Sequence, residues 1–278
     1  MERVDARVPQ IAEREASKNG PQAASDAARD GQWVNADSLA QVCESLLVTV
    51  LLALFVTTFV IQAYKIPSDS MEPTLLVGDH VLVNKFIFEG NGGWYEKLLP
   101  YRAVRRGDVI IFKYGYEDHP DYVKRVIGLP GDHLHVLDGR VYVNGAALRE
   151  PYAVHEEPDD PSNEEYFPPL DPYSTRTQLL PEWARDISKY VQGDDLVVPA
   201  DHYFVMGDNR DDSLDSRYWG FVDRGAVMGE PILIYWSVDA TADDYADRSM
   251  LGTIEGIGET LIHLPSRTRW HRLLRKVH

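Results

Sequence analysis

In HLHVLDGRVYVNG (133–145), apolar and polar side chains largely alternate on either side of Asp138-Gly139. A period of two belongs to a strand with one buried face. Asp-Gly is a preferred two-residue link between such strands, because both positions tolerate positive φ. The stretch therefore predicts an antiparallel hairpin. Outward from it, VLVNKFIF (81–88), DVIIFKY (108–114), YVKRVI (122–127), HYFVM (202–206) and PILIYW (231–236) are rich in Val, Ile, Tyr and Phe. Gly or Pro interrupts them at roughly ten-residue intervals, which favours an all-β domain over βαβ units.

Two segments break this texture. Residues 149–196 carry twelve acids against four bases, with prolines clustered in EEPDDPSNEEYFPPLDP. They read as an exposed insertion or smaller lobe, with a short helix at PEWARDISKYV (181–191). The last stretch, PSRTRWHRLLRKVH (265–278), has five Lys or Arg and no acid. Its interleaved Trp270, Leu273, Leu274 and Val277 suit an anionic membrane surface, and equally a solvated chain end.

The 278 residues have a globular composition, with 44% hydrophobic, 26% charged and a net charge of −16. That excess of acid argues against nucleic acid as a partner, since phosphate binding needs clustered cations. The single cysteine, Cys43, excludes an intramolecular disulfide and a multi-cysteine zinc site.

From Ser45 to Tyr64 no residue is charged, and Glu44 and Lys65 bracket the run. A helix of that length spans about 30 Å, the thickness of a bilayer's hydrocarbon. Thr49, Thr57 and Thr58 are tolerated there because each hydroxyl can bond back to the preceding turn. Since a polar segment, 1–44, precedes it and no apolar period there supports packing, the run reads as an uncleaved anchor behind a flexible leader. Few Lys or Arg flank it, so charge does not orient it.

Four segments carry polar chemistry: IPSDSMEPTLLVGD (66–79), RRGDVIIFKY (105–114), YVKRVIGLPGD (122–132) and MGDNRDDSLDSRYWG (206–220). Lys124 stands out, flanked by Val123 and Val126 in a run that otherwise belongs in a sheet. If its amine cannot reach water, desolvation lowers its pKa, and a neutral amine can take a proton from a serine hydroxyl. Otherwise its stem simply carries the charge to the surface. A calcium loop starting at Asp208 fails, with Arg210 at its third position and neither the glycine nor the closing glutamate. The two imidazoles of HLH lack a third ligand, so no metal site is expected.

In this order the segments resemble bacterial type I signal peptidase, the membrane-anchored serine protease that removes signal peptides from exported proteins. PSDSMEPTL is similar to the nucleophile box, RRGDVIIFKY to the second, KRVIGLPGD to the lysine box and GDNRDDSLDSRYWG to the last. The likeness runs from the anchor to the C-terminus, leaving out the leader and most of the acidic insertion. It implies Ser70 as nucleophile, Lys124 as general base, and Ser213 as the hydroxyl that holds the lysine. It also implies Ser68 as an oxyanion donor beside the Ser70 N–H. Arg125, Asp208, Arg210, Asp215 and Arg217 match positions that hold the scaffold by ion pairs. The apolar lining implied for substrate is Tyr64, Ile66, Met71, Leu75, Val81, Ile111, Tyr122 and Val123.

The implied fold is mainly β: an antiparallel β-sheet catalytic domain (65–148 and 197–278) with an inserted smaller lobe (149–196), preceded by one transmembrane helix (45–64). The implied reaction needs no cofactor and cuts after small residues in an Ala-x-Ala pattern. Expected partners are signal-bearing precursors, the lipid bilayer and the translocation machinery, with no nucleic acid. The expected location is the bacterial cell membrane, with the leader in the cytoplasm and the catalytic domain outside. Two departures stand out: Asp69 lies between the serines where the family often has a small residue, and Asp212 replaces a common asparagine. The alternatives are a self-cleaving Ser/Lys protease and an inactive anchored β-domain that binds signal peptides.

Overall fold

The computed structural model describes residues 36–88, 101–115, 121–155, 166–174, 179–241 and 266–278. Most of the polar leader, residues 1–35, and the acidic centre of the insertion, 156–165, lie outside them. The chain divides into two units, 1–55 and 56–278, each described by itself.

The first unit contributes the helix Ala36–Phe55. From Val42 to Leu54 its Leu and Val side chains are exposed, and Thr49 Oγ1 donates to the Ser45 carbonyl at 2.7 Å, as a threonine in an apolar helix should. Among the described residues this is the one helix long and apolar enough to cross a membrane, over Ala40–Thr58. The apolar run 45–64 and the helix do not coincide. After Phe55 comes a π-helical turn, Val56–Val60, and then strand β1, Ile61–Lys65. The run VTTFVI is mostly β-branched, which weakens helix and favours strand. β1 then finds a full ladder against β2 (Asp79–Asn84), from Ile61 opposite Asn84 to Lys65 opposite His80.

The second unit is built on two antiparallel sheets. The larger uses β1, β2, β3 (Val109–Phe112), β4 (Tyr122–Gly128) and four strands from the C-terminal half. The smaller begins with the predicted hairpin, β5 (His133–Leu137) and β6 (Arg140–Val143). Asp138 and Gly139 between them both take positive φ, 52° and 70°, as the link requires. β7 (Ala146–Ala147), β8 (Tyr166–Phe167), β9 (Val191–Gln192) and β10 (Asp195–Val197) complete that sheet. The smaller sheet thus starts near residue 133, before the change in composition at 149. Composition reports surface charge, whereas the hairpin's sheet partners β8 and β10 lie within and at the end of the acidic stretch. Within that stretch the expected helix forms as Pro181–Asp186, continued by a 3₁₀ turn.

The remaining strands of the larger sheet are β11 (His202–Met206), β12 (Val222–Asp223), β13 (Val227–Ser237) and β14 (Arg275–Lys276). β13 pairs with β3 near its start and with β2 along the rest, and shifts register at three places. Such bulges bend a strand, and one falls beside Pro231, which has no N–H for the ladder. β14 pairs with β13, so the basic C-terminal stretch is not simply a solvated end. Arg272 reaches Asp79 with both side chains buried, and Val277 packs on the core, while Trp270 and Leu274 remain exposed.

Three apolar clusters result. One lies between the sheets around Leu134, Phe167, Trp183 and Phe204. A second gathers Ile66, Met71, Leu75, Val81, Val83, Val109, Ile111 and Ile234, and a third surrounds Phe112, Val126, Tyr203 and Trp219.

Candidate active site

The turn 66–79 leaves β1 and returns to β2, closed by Ile66 N–H to Asp79 O at 2.9 Å and Gly78 N–H to Ile66 O at 3.0 Å. Leu76 N–H donates to the Asp79 carboxylate at 2.9 Å, and Arg272 grips the same carboxylate and the Thr74 carbonyl. The loop is therefore pinned at its far end. At its near end Met71 and Leu75 are sunk in the second cluster, and Ser70 beside them is 8% exposed.

Lys124 lies on β4 opposite Ile110, in a strand buried without interruption from Lys124 to Gly128. Its amine donates to Ser70 Oγ at 2.5 Å, and Ser68 Oγ lies 3.4 Å from Ser70 Oγ. Burial pushes the Lys124 amine down to about 8, and Arg217 acts in the same direction. Asp215, Asp208 and Asp69 pull the other way but do not restore its ordinary value. Asp69, between the two serines, is thus a lesser, opposing influence on this amine.

Two buried Arg–Asp pairs frame the amine. Arg125 meets Asp208 through Nε and Nη2, each at 2.7 Å, and Thr74 Oγ1 donates to the same carboxylate. Arg217 meets Asp215 through Nε and Nη2, each at 2.9 Å. Burial alone would raise the Asp215 carboxyl, but Arg217, the Gly207 N–H and Lys124 outweigh it and hold it below the usual carboxylate range. Each arginine also caps backbone: Arg125 donates to Gly107 O, and Arg217 to Arg210 O. The fifth scaffold residue, Arg210, turns elsewhere, to Glu150 at 2.5 and 3.1 Å.

Ser213 is buried in this group, but its hydroxyl donates to Asp215 Oδ2 at 2.9 Å. It reaches the lysine's neighbour rather than the lysine, because an ionised carboxylate is the stronger acceptor for a hydroxyl. Of the residues expected to line a substrate site, Ile66, Met71, Leu75, Val81 and Ile111 form the buried cluster beneath Ser70, with Tyr64 and Val123 at its edge. Tyr122 belongs instead to the third cluster, stacked on Phe112. Among the described residues no three His, Cys, Asp or Glu are grouped to hold a metal ion.

Several participants left no local signal. A Cβ on Gly207 would lie 2.4 Å from the Ser70 carbonyl oxygen and 2.2 Å from Ser213 Oγ, so the loop passes there only as glycine. Asn209 N–H donates to Ser70 O at 3.2 Å. Thr74, Glu150 and Asp79 are recruited by arginines far away in sequence, which spacing cannot reveal.

Comparison with known proteins gives the family. The family model described as signal peptidase, peptidase S26 matches residues 39–236. The chain belongs to that family. It is 37% identical over 213 residues to signal peptidase I of Pseudomonas aeruginosa, covering 72% of this chain and 73% of that protein. It is 35% identical over 236 residues to signal peptidase I of Aquifex aeolicus, covering 71% and 84%. A probable signal peptidase I-2 of Synechocystis shares 33% over 200 residues, covering 70% and 72%. The activity is the family's: hydrolytic removal of signal peptides from precursor proteins by a serine endopeptidase.

Proposed function

We propose that Ser70 and Lys124 are the catalytic pair of this peptidase, and that the enzyme works anchored in the bacterial cell membrane. The observation that carries the pair is the 2.5 Å approach of Lys124 Nζ to Ser70 Oγ at a site whose burial favours the neutral amine. A neutral lysine beside a serine hydroxyl is a complete nucleophile and base. Lys124 takes the hydroxyl proton, and Ser70 Oγ attacks the scissile carbonyl. The Ser70 N–H and Ser68 hydroxyl receive the oxyanion, and one such donor contributes on the order of 3 kcal/mol to the rate. Lys124 then returns the proton to the leaving amine and activates the water that releases the acyl chain. Ser213 orients the site through Asp215.

Substrate meets the site as an extended chain. β11 ends at Met206, opposite Arg125, while β3 covers β4 from Tyr122 to Arg125 on the other side. Among the described residues the Tyr122–Lys124 edge facing away from β3 has no strand partner, which suits addition of a peptide strand. Tyr64 and Val123 touch its side chains, and the buried residues from Ile66 to Ile111 form a closed floor that admits small ones, in an Ala-x-Ala pattern. The apolar helix anchors the enzyme with the leader in the cytoplasm and the catalytic domain outside. Sharing a membrane with its precursors raises their effective concentration. The translocation machinery that delivers them is the neighbouring partner.

Purified full chain in detergent, incubated with a signal-bearing precursor, tests the pair. Ser70→Ala and Lys124→Ala are each expected to abolish cleavage while remaining folded. Substantial turnover by either folded variant would remove that residue from the mechanism.

A further inference from the structure

The acidic stretch begins by running along the loop 207–211 instead of leaving into solvent. Val154 N–H donates to Asp208 O at 2.8 Å, and Arg210 N–H donates to Val154 O at 2.9 Å. These two bonds form a parallel bridge between Val154 and Asn209. Glu150 takes both terminal nitrogens of Arg210, whose Nε donates to Gly207 O at 3.0 Å. The Tyr152 ring covers the Arg125 guanidinium at 4.0 Å, and its hydroxyl donates to Glu150 Oε1 at 3.3 Å. At the far end His155 Nδ1 lies 3.5 Å from Asp211 Oδ1.

The opposite side of the same loop holds the nucleophile. Asn209 N–H is bonded to Ser70 O, and Gly207 is wedged between Ser70 O and Ser213. Loop 207–211 is therefore a thin layer between Ser70 and the arm 150–155. We propose that this arm is a clamp for the active site, with Tyr152 and Glu150 as positioning residues that act on Ser70 and Lys124 through Arg125 and Arg210. The rate role assigned to the clamp rests on the Ser70–Lys124 reading above. Tyr152 shields the Arg125–Asp208 pair from water on the guanidinium face it covers, strengthening a pair that neighbours the base. Glu150 fixes Arg210 and, through it, the Gly207 carbonyl. Without them the loop gains room to move, and displacing a reacting group by about 1 Å costs rates of tenfold or more.

Tyr152→Ala in the full chain tests the clamp by two readouts. One is kcat and KM on a signal-bearing precursor. The other is hydrogen exchange of the Asn209 amide, which reports the bond to Ser70 whether or not any peptide is cut. The expected result is a kcat lowered about tenfold with KM within about twofold, and faster Asn209 exchange. Tyr152→Phe, which keeps the ring over Arg125, should restore both. Wild-type exchange in folded Tyr152→Ala overturns the clamp, and faster exchange with unchanged kcat overturns its role in positioning. If Tyr152→Ala does not fold, Glu150→Gln is measured by the same two readouts, and the same outcomes support or overturn the clamp. Failure of the wild type to cleave would count against the Ser70–Lys124 reading, and Asn209 exchange would still decide the clamp.

Discussion

A lysine with 3% of its surface exposed destabilises the fold while its amine is charged. In the unfolded chain the Lys124 amine has its ordinary pKa of 10.5, and in the folded protein about 8. Between those values the unfolded state binds more protons, so stability rises with pH across that window. Below about pH 8 the full cost is present, about 3 kcal/mol at ~1.4 kcal/mol per unit. Lys124→Met should therefore be inactive yet more stable than wild type in urea at pH 7. That advantage should shrink as pH climbs from about 8 to about 10.5. An advantage that did not change with pH would mean that the amine is not the source.

The loop after β11 does at the element scale what no single residue does. Within a few positions it supplies Asp208 to Arg125, Asp215 to Arg217, Gly207 against Ser70, and Asn209 to the Ser70 carbonyl. Removing one partner of a buried pair leaves the other charged and unpaired, at about 3–5 kcal/mol. Asp208→Asn should cost that much in urea denaturation, because Arg125 stays buried. Asp186→Asn, which breaks the exposed contact with Lys189, should leave the midpoint where it was. Equal effects from the two substitutions would show that burial does not set the strength of these pairs.

At the scale of the whole molecule, what could be read early is what repeats or stays local. The Asp138-Gly139 hairpin forms because its turn chemistry and alternation lie in one window. The strands at 109–112, 122–128 and 202–206 announce themselves by composition. Ser70 and Lys124 were legible as a pair because four ordered segments resembled one family. The spread of the apolar run into helix, π turn and strand was not legible, since β1 exists through its partner β2. Sheet membership from residue 133 onward depends on β9 and β10, at the end of the acidic stretch. Arg272 on Asp79, Glu150 on Arg210 and Tyr152 over Arg125 join residues whose spacing carries no pattern. Such long connections hold Ser70, on the turn after β1, against Lys124 on β4 of the larger sheet.

The most direct measurement is titration of the Lys124 amine by nitrogen-15 NMR in the full chain, set beside the pH dependence of kcat/KM on a precursor. Both should share a midpoint near 8, with the rate falling about tenfold per pH unit below it. An amine that titrates near 10.5, or a rate profile that ignores the amine's midpoint, would contradict Lys124 as the group that takes the proton from Ser70.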